Sequence, residues 1–493
     1  MAEKTGESGK GLSGAADSVS LWARPAGYRD VLRLAVPLVL STSSWSIQHF
    51  VDRMFLCWYS PAAMAAALPA GFLAFTIISF FMGTASYANT FVAQYEGSGQ
   101  PRRIGPSIWQ AVYFAVATGL VLPVFCPFAG AIFRVVGHEP LVQELETRYF
   151  RIMMAGAIFT IYTNAVSSFF TGLGRNWPVM WVNAGVTAVN VVLDYAMIFG
   201  HWGFPEWGIS GAAWATIIAN ATGAVAFSVL VFAGRHEKRY ATRSGRRFNR
   251  ALFARMMRFG VPSGVQFMLD IMAFTFFVFI VGRIGTRELA ATNLAFQINS
   301  LAFLPMIGFG IATTTMVGQW LGSDRPDLAS RATWASFHMT FVYMTTIAAL
   351  YVAAPSWFIA PFAAGTDPAT FDEVSRLATV ILNFVAVYCV FDTMNVIFAS
   401  ALKGAGDTRF VMYGSVGLAW AIMVIPTWVV CERGGSGIYS AWTFLSAYVI
   451  VLGFGFLFRF LQGRWRTMRV IERPAVAAVP LTMPEAPTSE VDL

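Results

Sequence analysis

Between residues 31 and about 463 the chain is a succession of apolar stretches of 20 or more residues, interrupted only by short segments carrying Gly, Pro or charge. About 20 apolar residues are what a helix needs to cross a hydrocarbon core of about 30 Å. In hydrocarbon a spanning segment must satisfy its own backbone N–H and C=O groups, and a helix does so within itself. The breaks divide the chain into twelve spans, at about 31–58, 62–93, 106–133, 142–171, 177–200, 209–233, 251–282, 288–320, 328–362, 371–402, 410–431 and 438–461. Composition agrees: 56% of residues are hydrophobic and 12% charged, about half the charged fraction of a soluble domain. A water-soluble enzyme is excluded, and no soluble block separates the spans. The expected fold is an all-α polytopic membrane protein, one unit despite a length of 493 residues.

Residues 1–28 are rich in Gly, Ser and Ala and contain no apolar core suited to a signal peptide. The first span is therefore expected to insert uncleaved, behind a disordered tail. Cys57, Cys126, Cys389 and Cys431 are far apart with no CxxC, which suggests four packed, reduced thiols and neither a disulfide framework nor a metal knuckle. The net charge of +8 has a topological explanation. With twelve spans both termini lie on one side, and that side receives 26 of the 34 Lys and Arg; the other keeps Arg53, Arg134, Arg148, Arg151, Arg283, Arg287, Arg376 and Arg433. The positive-inside rule then puts both termini in the cytoplasm, in the cell (inner) membrane, with no nucleic-acid partner implied.

The chain is internally duplicated. A shift of 225 positions lays Val36-Pro37 on Val261-Pro262 and VAQYEGSGQP (92–101) on VGQWLGSDRP (317–326). GLGRNWPVM (172–180) falls on GAGDTRFVM (404–412) with seven more residues of offset. Two six-helix repeats have the same orientation, because six is even, and are related by a pseudo-two-fold along the membrane normal; a substrate path is expected at their interface. The expected organisation is a cytoplasmic tail (1–28), an N-lobe (29–233), a basic cytoplasmic linker (234–250), a C-lobe (251–463) and a cytoplasmic C-terminal tail (464–493).

Of the 26 acidic residues, 22 sit in tails, loops or helix ends, and four lie inside spans: Asp52, Asp194, Asp270 and Asp392. At mid-bilayer an ionised carboxylate costs roughly 2.5–3.5 kcal/mol on insertion scales, so the set costs on the order of 10 kcal/mol. Their helix faces are polar, since residues four apart are neighbours. Asn190 precedes Asp194 by one turn, Tyr388 precedes Asp392, Gln266 precedes Asp270, and Ser41, Ser44 and Gln48 lead to Asp52 with His49 beside them. An acid kept out of water takes up a proton, or shares its oxygens with a hard cation such as Na⁺. Both remain open. Asn395, one turn after Asp392, is a further auxiliary candidate. Pro37 and Pro262, at equivalent places in spans 1 and 7, each remove a backbone bond and are candidate kinks for gating.

Taken with the duplication, AVPLVLSTSSWSIQHFVDRMF (35–55), GLGRNWPVM, NVVLDYAMIFG (190–200) and FDTMNVIFASALKGAGDTR (391–409) resemble the multidrug and toxic compound extrusion (MATE) transporters over residues 29 to 463. The resemblance implies alternating access and export of hydrophobic, often cationic compounds in exchange for H⁺ or Na⁺, without an organic cofactor, a catalytic residue or any metal beyond Na⁺. The implied N-lobe cation site is Asp52, Asn190, Asp194 and Thr216. The implied C-lobe site is Asp270, Tyr388 and Asp392, with Asp270 where that branch usually has Glu. Lipophilic or cationic small molecules and the bilayer are the expected partners, and a monomer is expected.

Two rival readings start from other residues. A lipid-linked oligosaccharide or lipid flippase of the same superfamily would need Lys and Arg around its path, whereas the charged mid-span residues here are acidic. An intramembrane aspartyl protease is suggested by the GxGD pattern Gly404-Ala405-Gly406-Asp407, but its partner Tyr-Asp dipeptide is absent, because Asp194 precedes its Tyr.

Overall fold

The computed structural model describes residues 22, 24–362, 368–432 and 437–472, and every element in it is helical. Twelve long helices follow one another: α1 (Tyr28–Tyr59), α2 (Pro61–Ser86, continued by Ala88–Gly97), α3 (Ile104–Val121), α4 (Pro140–Gly172), α5 (Trp177–Phe199), α6 (Ile209–Phe232), α7 (Arg250–Ile284), α8 (Thr286–Gly322), α9 (Pro326–Ala353), α10 (Pro368–Ala405), α11 (Thr408–Leu418, continued to Glu432) and α12 (Ile438–Leu461). Eleven are long and apolar enough to cross a membrane. The exception is α1, whose 32 residues include Ser41, Thr42, Ser43, Ser44, Gln48, His49 and Asp52. The helix that falls short of that length-and-hydropathy test is thus one of those that bring an acid into the bundle.

Local chemistry explains the breaks. Beyond α3 the chain tightens into 3₁₀ turns over Leu122–Phe128, where Pro123 and Pro127 remove two donors, before a short helix Ala129–Val136. Within α11, Ala419–Val424 is a π-helical turn. Pro426 follows it and cannot donate to the carbonyl of Ile422. Asn249 caps α7 by accepting from the Leu252 N–H at 3.0 Å. At Pro37 and Pro262, α1 and α7 run on as unbroken helices.

The lobes meet through a symmetric exchange in which α1 packs on α8 and α7 packs on α2. At the end of the bundle where α1 begins and α12 ends, here called the terminal end, α2 and α8 cross. A Cβ on Gly97 would lie 2.0 Å from the Gln319 carbonyl oxygen, and one on Gly322 would lie 2.3 Å from that of Gln94. Gln94 Nε2 donates to the Gly404 carbonyl at 3.0 Å and Gln319 Nε2 to that of Gly172 at 2.8 Å. Gln94 and Gln319, like Gly97 and Gly322, are separated by the 225-residue repeat offset. The duplicated motif is thus a two-fold lock in which missing side chains let backbones touch and amides fill the opposing carbonyls. Asn89 Nδ2 to Thr315 Oγ1 at 3.3 Å and the Tyr87 hydroxyl to the Lys403 carbonyl at 2.8 Å extend it.

Both basic segments are more ordered than a loose bridge or tail. In the linker 234–250, a helical turn Glu237–Tyr240 buries Tyr240, and Trp109 Nε1 donates to the Thr242 carbonyl at 2.6 Å. The Glu237 carboxyl is held below its ordinary value by hydrogen bonds from Ser244 and the Arg243 N–H. After α12, residues 464–472 form a strap. Trp465 is buried and stacks on Phe460, Val470 and Ile471 sink into the N-lobe core, and the Val470 N–H donates to Gln94 Oε1 at 2.9 Å. Glu472 pairs with Arg103 before α3 and with Arg255 of α7, joining the lobes. Residues 1–21 of the N-terminal tail, Arg433 and the C-terminal tail beyond 472 lie outside the described residues.

Two expectations need correction. Cys57 is exposed and not packed, because it falls on the outward face of the last turns of α1. Glu146, assigned by sequence to a helix end, is fully buried: α4 begins at Pro140, so Glu146 lies nearly two turns inside. It pairs with His138 Nδ1 at 2.8 Å and leaves Oε2 without a partner.

Candidate functional site

In the N-lobe the acids of α1 and α5 converge. Asp52 and Asp194 approach within side-chain hydrogen-bond range. Asn190 and Asp194 are wholly buried, and Asn190 Nδ2 reaches Thr216 Oγ1 of α6 at 3.5 Å. Packing sets this geometry: α5 lies against both α1 and α6, and two hydrogen bonds tie α1 to α5 below the acids. Asn183 Nδ2 donates to Ser41 Oγ at 2.6 Å and Thr187 Oγ1 to the Ser44 carbonyl at 3.2 Å. The cluster is rich in acceptors and poor in donors. Asp52 Oδ1, both Asp194 oxygens and Asn190 Oδ1 are buried without a hydrogen-bond partner. Two facing carboxylates in a dry site need a proton or a cation between them.

The C-lobe acids stay apart. Gln266 Nε2 of α7 donates to Asp270 Oδ2 at 3.0 Å and to Ser415 Oγ of α11 at 3.3 Å. Asp270 Oδ1 and Gln266 Oε1 are buried and unpartnered. On α10, Asn395 Nδ2 donates to Asp392 Oδ1 at 3.0 Å. Tyr388 turns to another group: its hydroxyl accepts from Asn299 Nδ2 of α8 at 3.0 Å, and its ring stacks on Trp442 of α12. Each C-lobe carboxylate thus has its own amide, where the N-lobe pair faces each other.

Between the lobes an aromatic chain runs from Trp45 to Phe75 at 5.8 Å and from Phe75 to Phe267 at 6.1 Å. Beside it α2 and α7 close: a Cβ on Gly83 would lie 2.9 Å from the Gly264 Cα. These contacts, here called the aromatic floor, mark the limit of the close lobe–lobe contact, since the hydrogen bonds that join the lobes cluster from the Thr42 hydroxyl and Leu304 carbonyl (3.3 Å) toward the terminal end. Asp52 stands about two turns above Trp45, and Asp270 about one turn above Phe267. Gln48 is buried beside this route, and His49 sets its ring edge against Trp45 at 4.9 Å.

Sequence reasoning overlooked three residues here. Tyr149 of α4 feels the charges of Asp52 and Asp194, and Tyr448 of α12 those of Asp270 and Asp392. Lys403, counted as a loop cation, is only half exposed and interacts electrostatically with Asp270. Tyrosines within apolar spans carry no positional signal, and Lys403 at a span boundary looks like ordinary topogenic charge. For Gln94, Gln319 and the facing glycines a signal existed, namely their identity between the repeats.

Comparison with known proteins matches this architecture. A family profile described as MatE aligns twice, to residues 37–196 and 262–429. The starts are 225 positions apart, the same offset as the internal repeat. A probable multidrug resistance protein NorM of Thermotoga maritima is 24% identical over 92% of this chain and 96% of its own length. One of Pseudomonas syringae pv. tomato is 26% identical over 93% of this chain and 100% of its own. Among solved structures, the outward-facing conformation of a multidrug resistance MATE family transporter of the MOP superfamily superposes with a TM-score of 0.81 at 18% identity, covering 90% of this chain and 97% of that one. A twelve-helix bundle of two repeats, with the family profile matching both, makes this chain a multi-pass membrane protein of the MatE family, a transporter and not an enzyme.

Proposed function

We propose that the protein is a secondary-active antiporter that exports hydrophobic, often cationic drugs or toxic compounds in exchange for H⁺ or Na⁺, with the Asp52–Asp194 pair as its principal coupling site. The observation that carries this reading is the meeting of the Asp52 and Asp194 carboxylates, which contribute three buried, unpartnered oxygens, with a fourth from Asn190, beside Thr216. A proton shared by the carboxylates, or a Na⁺ held by Asp52, Asp194, Asn190 and Thr216, satisfies those oxygens and removes most of the cost of burying them. The names of the NorM relatives support drugs as substrates.

In this reading the terminal end is cytoplasmic, as 26 of 34 Lys and Arg on that side indicate. The two-fold lock then closes the cytoplasmic end while the space above the aromatic floor faces outward. Release of the lock and closure above the floor exchange the sides. Trp45, Phe75 and Phe267 offer a cationic, apolar substrate ring faces beside Asp270. Occupation of the N-lobe pair by an incoming ion biases α1, whose Ser41 and Ser44 bonds to α5 lie just on the terminal side of Trp45, at the level of the floor. One proton entering across about 100 mV releases roughly 2.3 kcal/mol. A tenfold substrate gradient costs about 1.4 kcal/mol, so one proton per neutral substrate sustains a gradient of roughly fiftyfold. Exchange of one H⁺ for a monovalent cation moves no net charge and leaves the pH gradient alone as drive.

The test is transport of a fluorescent lipophilic cation by the purified protein in liposomes, against separately imposed pH and Na⁺ gradients. One gradient should drive accumulation, and the Asp52→Asn, Asp194→Asn double variant should lose that drive. Transport indifferent to both gradients would refute the reading.

A further inference from the structure

At the terminal end, outside the coupling sites, a cavity of about 280 Å³ lies between α7, the turn joining α10 to α11, and the C-terminal strap. Its walls are Arg258 and Phe259 of α7, Ala405 to Asp407 and Arg409 of the turn, and Met468 and Arg469 of the strap. Its charge is one-sided. Asp407 is the one acid in the lining, and Arg459 already holds it at 2.8 Å while lying over the Phe410 ring. Arg469 is engaged by Asp324 at 2.7 Å. Arg258 and Arg409 have no acidic partner among the described residues, and Arg258 rests only over the Phe259 ring. Two unneutralised guanidinium groups thus converge on a cavity that has an apolar wall of Phe259, Ala405 and Met468.

We infer that this cavity is a binding site for a phosphate-bearing anion, and specifically for the headgroup of an anionic phospholipid. Guanidinium groups bind phosphate bidentately. At about 30 Å³ per water the cavity has roughly nine waters' worth of room, enough for a phosphodiester with its glycerol. Free phosphate has no use for the apolar wall, whereas a lipid's glycerol backbone does. The basic pocket also lies at the end of the bundle, at the level where headgroups are found. The site is built in part by the strap, and it exists only while the strap is docked. A Cβ on Gly406, which has φ +108°, would lie 2.9 Å from Val470 Cγ1, and Phe259 stacks on Tyr87 of α2. A bound headgroup therefore holds the strap, α7 and the closed terminal end together.

The experiment uses the full-length protein in nanodiscs of phosphatidylcholine, with phosphatidylglycerol titrated in, and in parallel phosphatidylcholine nanodiscs with inorganic phosphate added. Thermal unfolding should shift upward in a saturable way with phosphatidylglycerol. The Arg258→Gln, Arg409→Gln variant should weaken the apparent affinity at least about tenfold, while Arg464→Gln, Arg466→Gln, which removes equal charge from the same end outside the cavity, should leave it within about twofold. Saturation by phosphatidylglycerol and not by inorganic phosphate assigns a lipid. Saturation by both supports a phosphate site without lipid selectivity. No saturable shift with either, or equal loss in the two double variants, overturns the proposal. Native mass spectrometry of the unmutated protein gives a check independent of variant folding: one phosphatidylglycerol should be retained preferentially, and a retention no different from phosphatidylcholine counts against the site.

Discussion

The two lobes are copies of one six-helix unit, yet they differ in where their acids lie and in what those acids meet. At the repeat offset of 225, Asp52 falls on Phe277 and Asp270 falls on Trp45; at the later offset of 232, Asp194 falls on Pro426 and Asp392 on Thr160. Gln94 and Gln319, Gly97 and Gly322, and Gly172 and Gly404 do correspond, and these form the lock at the terminal end. Duplication has kept what the pseudo-two-fold needs, because a crossing on the axis works only if both halves offer the same small residue and the same amide. Away from the axis no such demand exists. There the N-lobe has two carboxylates sharing one dry pocket, and the C-lobe has two carboxylates each accepting from its own amide, Gln266 or Asn395.

That comparison can be broken most directly by removing charge. Asp194→Asn should abolish gradient-driven transport, a loss of about a hundredfold or roughly 2.8 kcal/mol of coupling, because the remaining Asp52 no longer has a carboxylate to share a proton or cation with. Asp392→Asn should cost far less, about threefold, since Asn395 still bonds the amide that replaces the acid. Equal effects in a liposome transport assay would show that the lobes are functionally alike despite their geometry. Between these in size is the lock. Gly97→Ala puts a methyl where the Gln319 carbonyl stands, an overpacking worth about 1–3 kcal/mol, and should raise the labelling rate of a cysteine introduced at the terminal end by roughly tenfold. Gly185→Ala, whose Cβ would meet nothing within 4 Å, is the matched control.

The smallest expected effect concerns the strap, which follows α12 as the linker follows α6 and docks across the lobes. Hydrogen bonds from Arg255 and Arg103 hold the Glu472 carboxyl below its ordinary 4.5. A depressed acid stabilises the docked form above its free value and loses that contribution as pH falls through the docked value. Hydrogen exchange at Val470 and Ile471 should therefore be flat from pH 8 down to that ordinary value, after correction for intrinsic rates, and should lose protection only as pH falls below it. Glu472→Gln should remove that step.

Much of the molecule is legible in the sequence because a bilayer enforces it. Twelve apolar runs, the orientation-preserving duplication and the four costly acids follow from one requirement, that hydrocarbon tolerates neither unpaired backbone nor idle charge. The convergence of Asp52 with Asp194 was readable only as two polar faces on separate helices; α5 packing on α1 and α6 brought them together. Tyr388 stood one turn before Asp392, but packing against α8 and α12 turned its hydroxyl to Asn299.

Periodicity along one helix says which residues share a face, and hydropathy says which face avoids water. Neither says which face of another helix it meets. Span number, repeat and buried acids were therefore determined by the sequence itself. The tertiary structure alone decided that the N-lobe acids pair while the C-lobe acids do not, that Glu146 is buried and Lys403 interacts with Asp270, and that the C-terminal strap docks across the lobes. Those outcomes depend on contacts between segments up to 376 residues apart, and only three-dimensional packing sets such contacts.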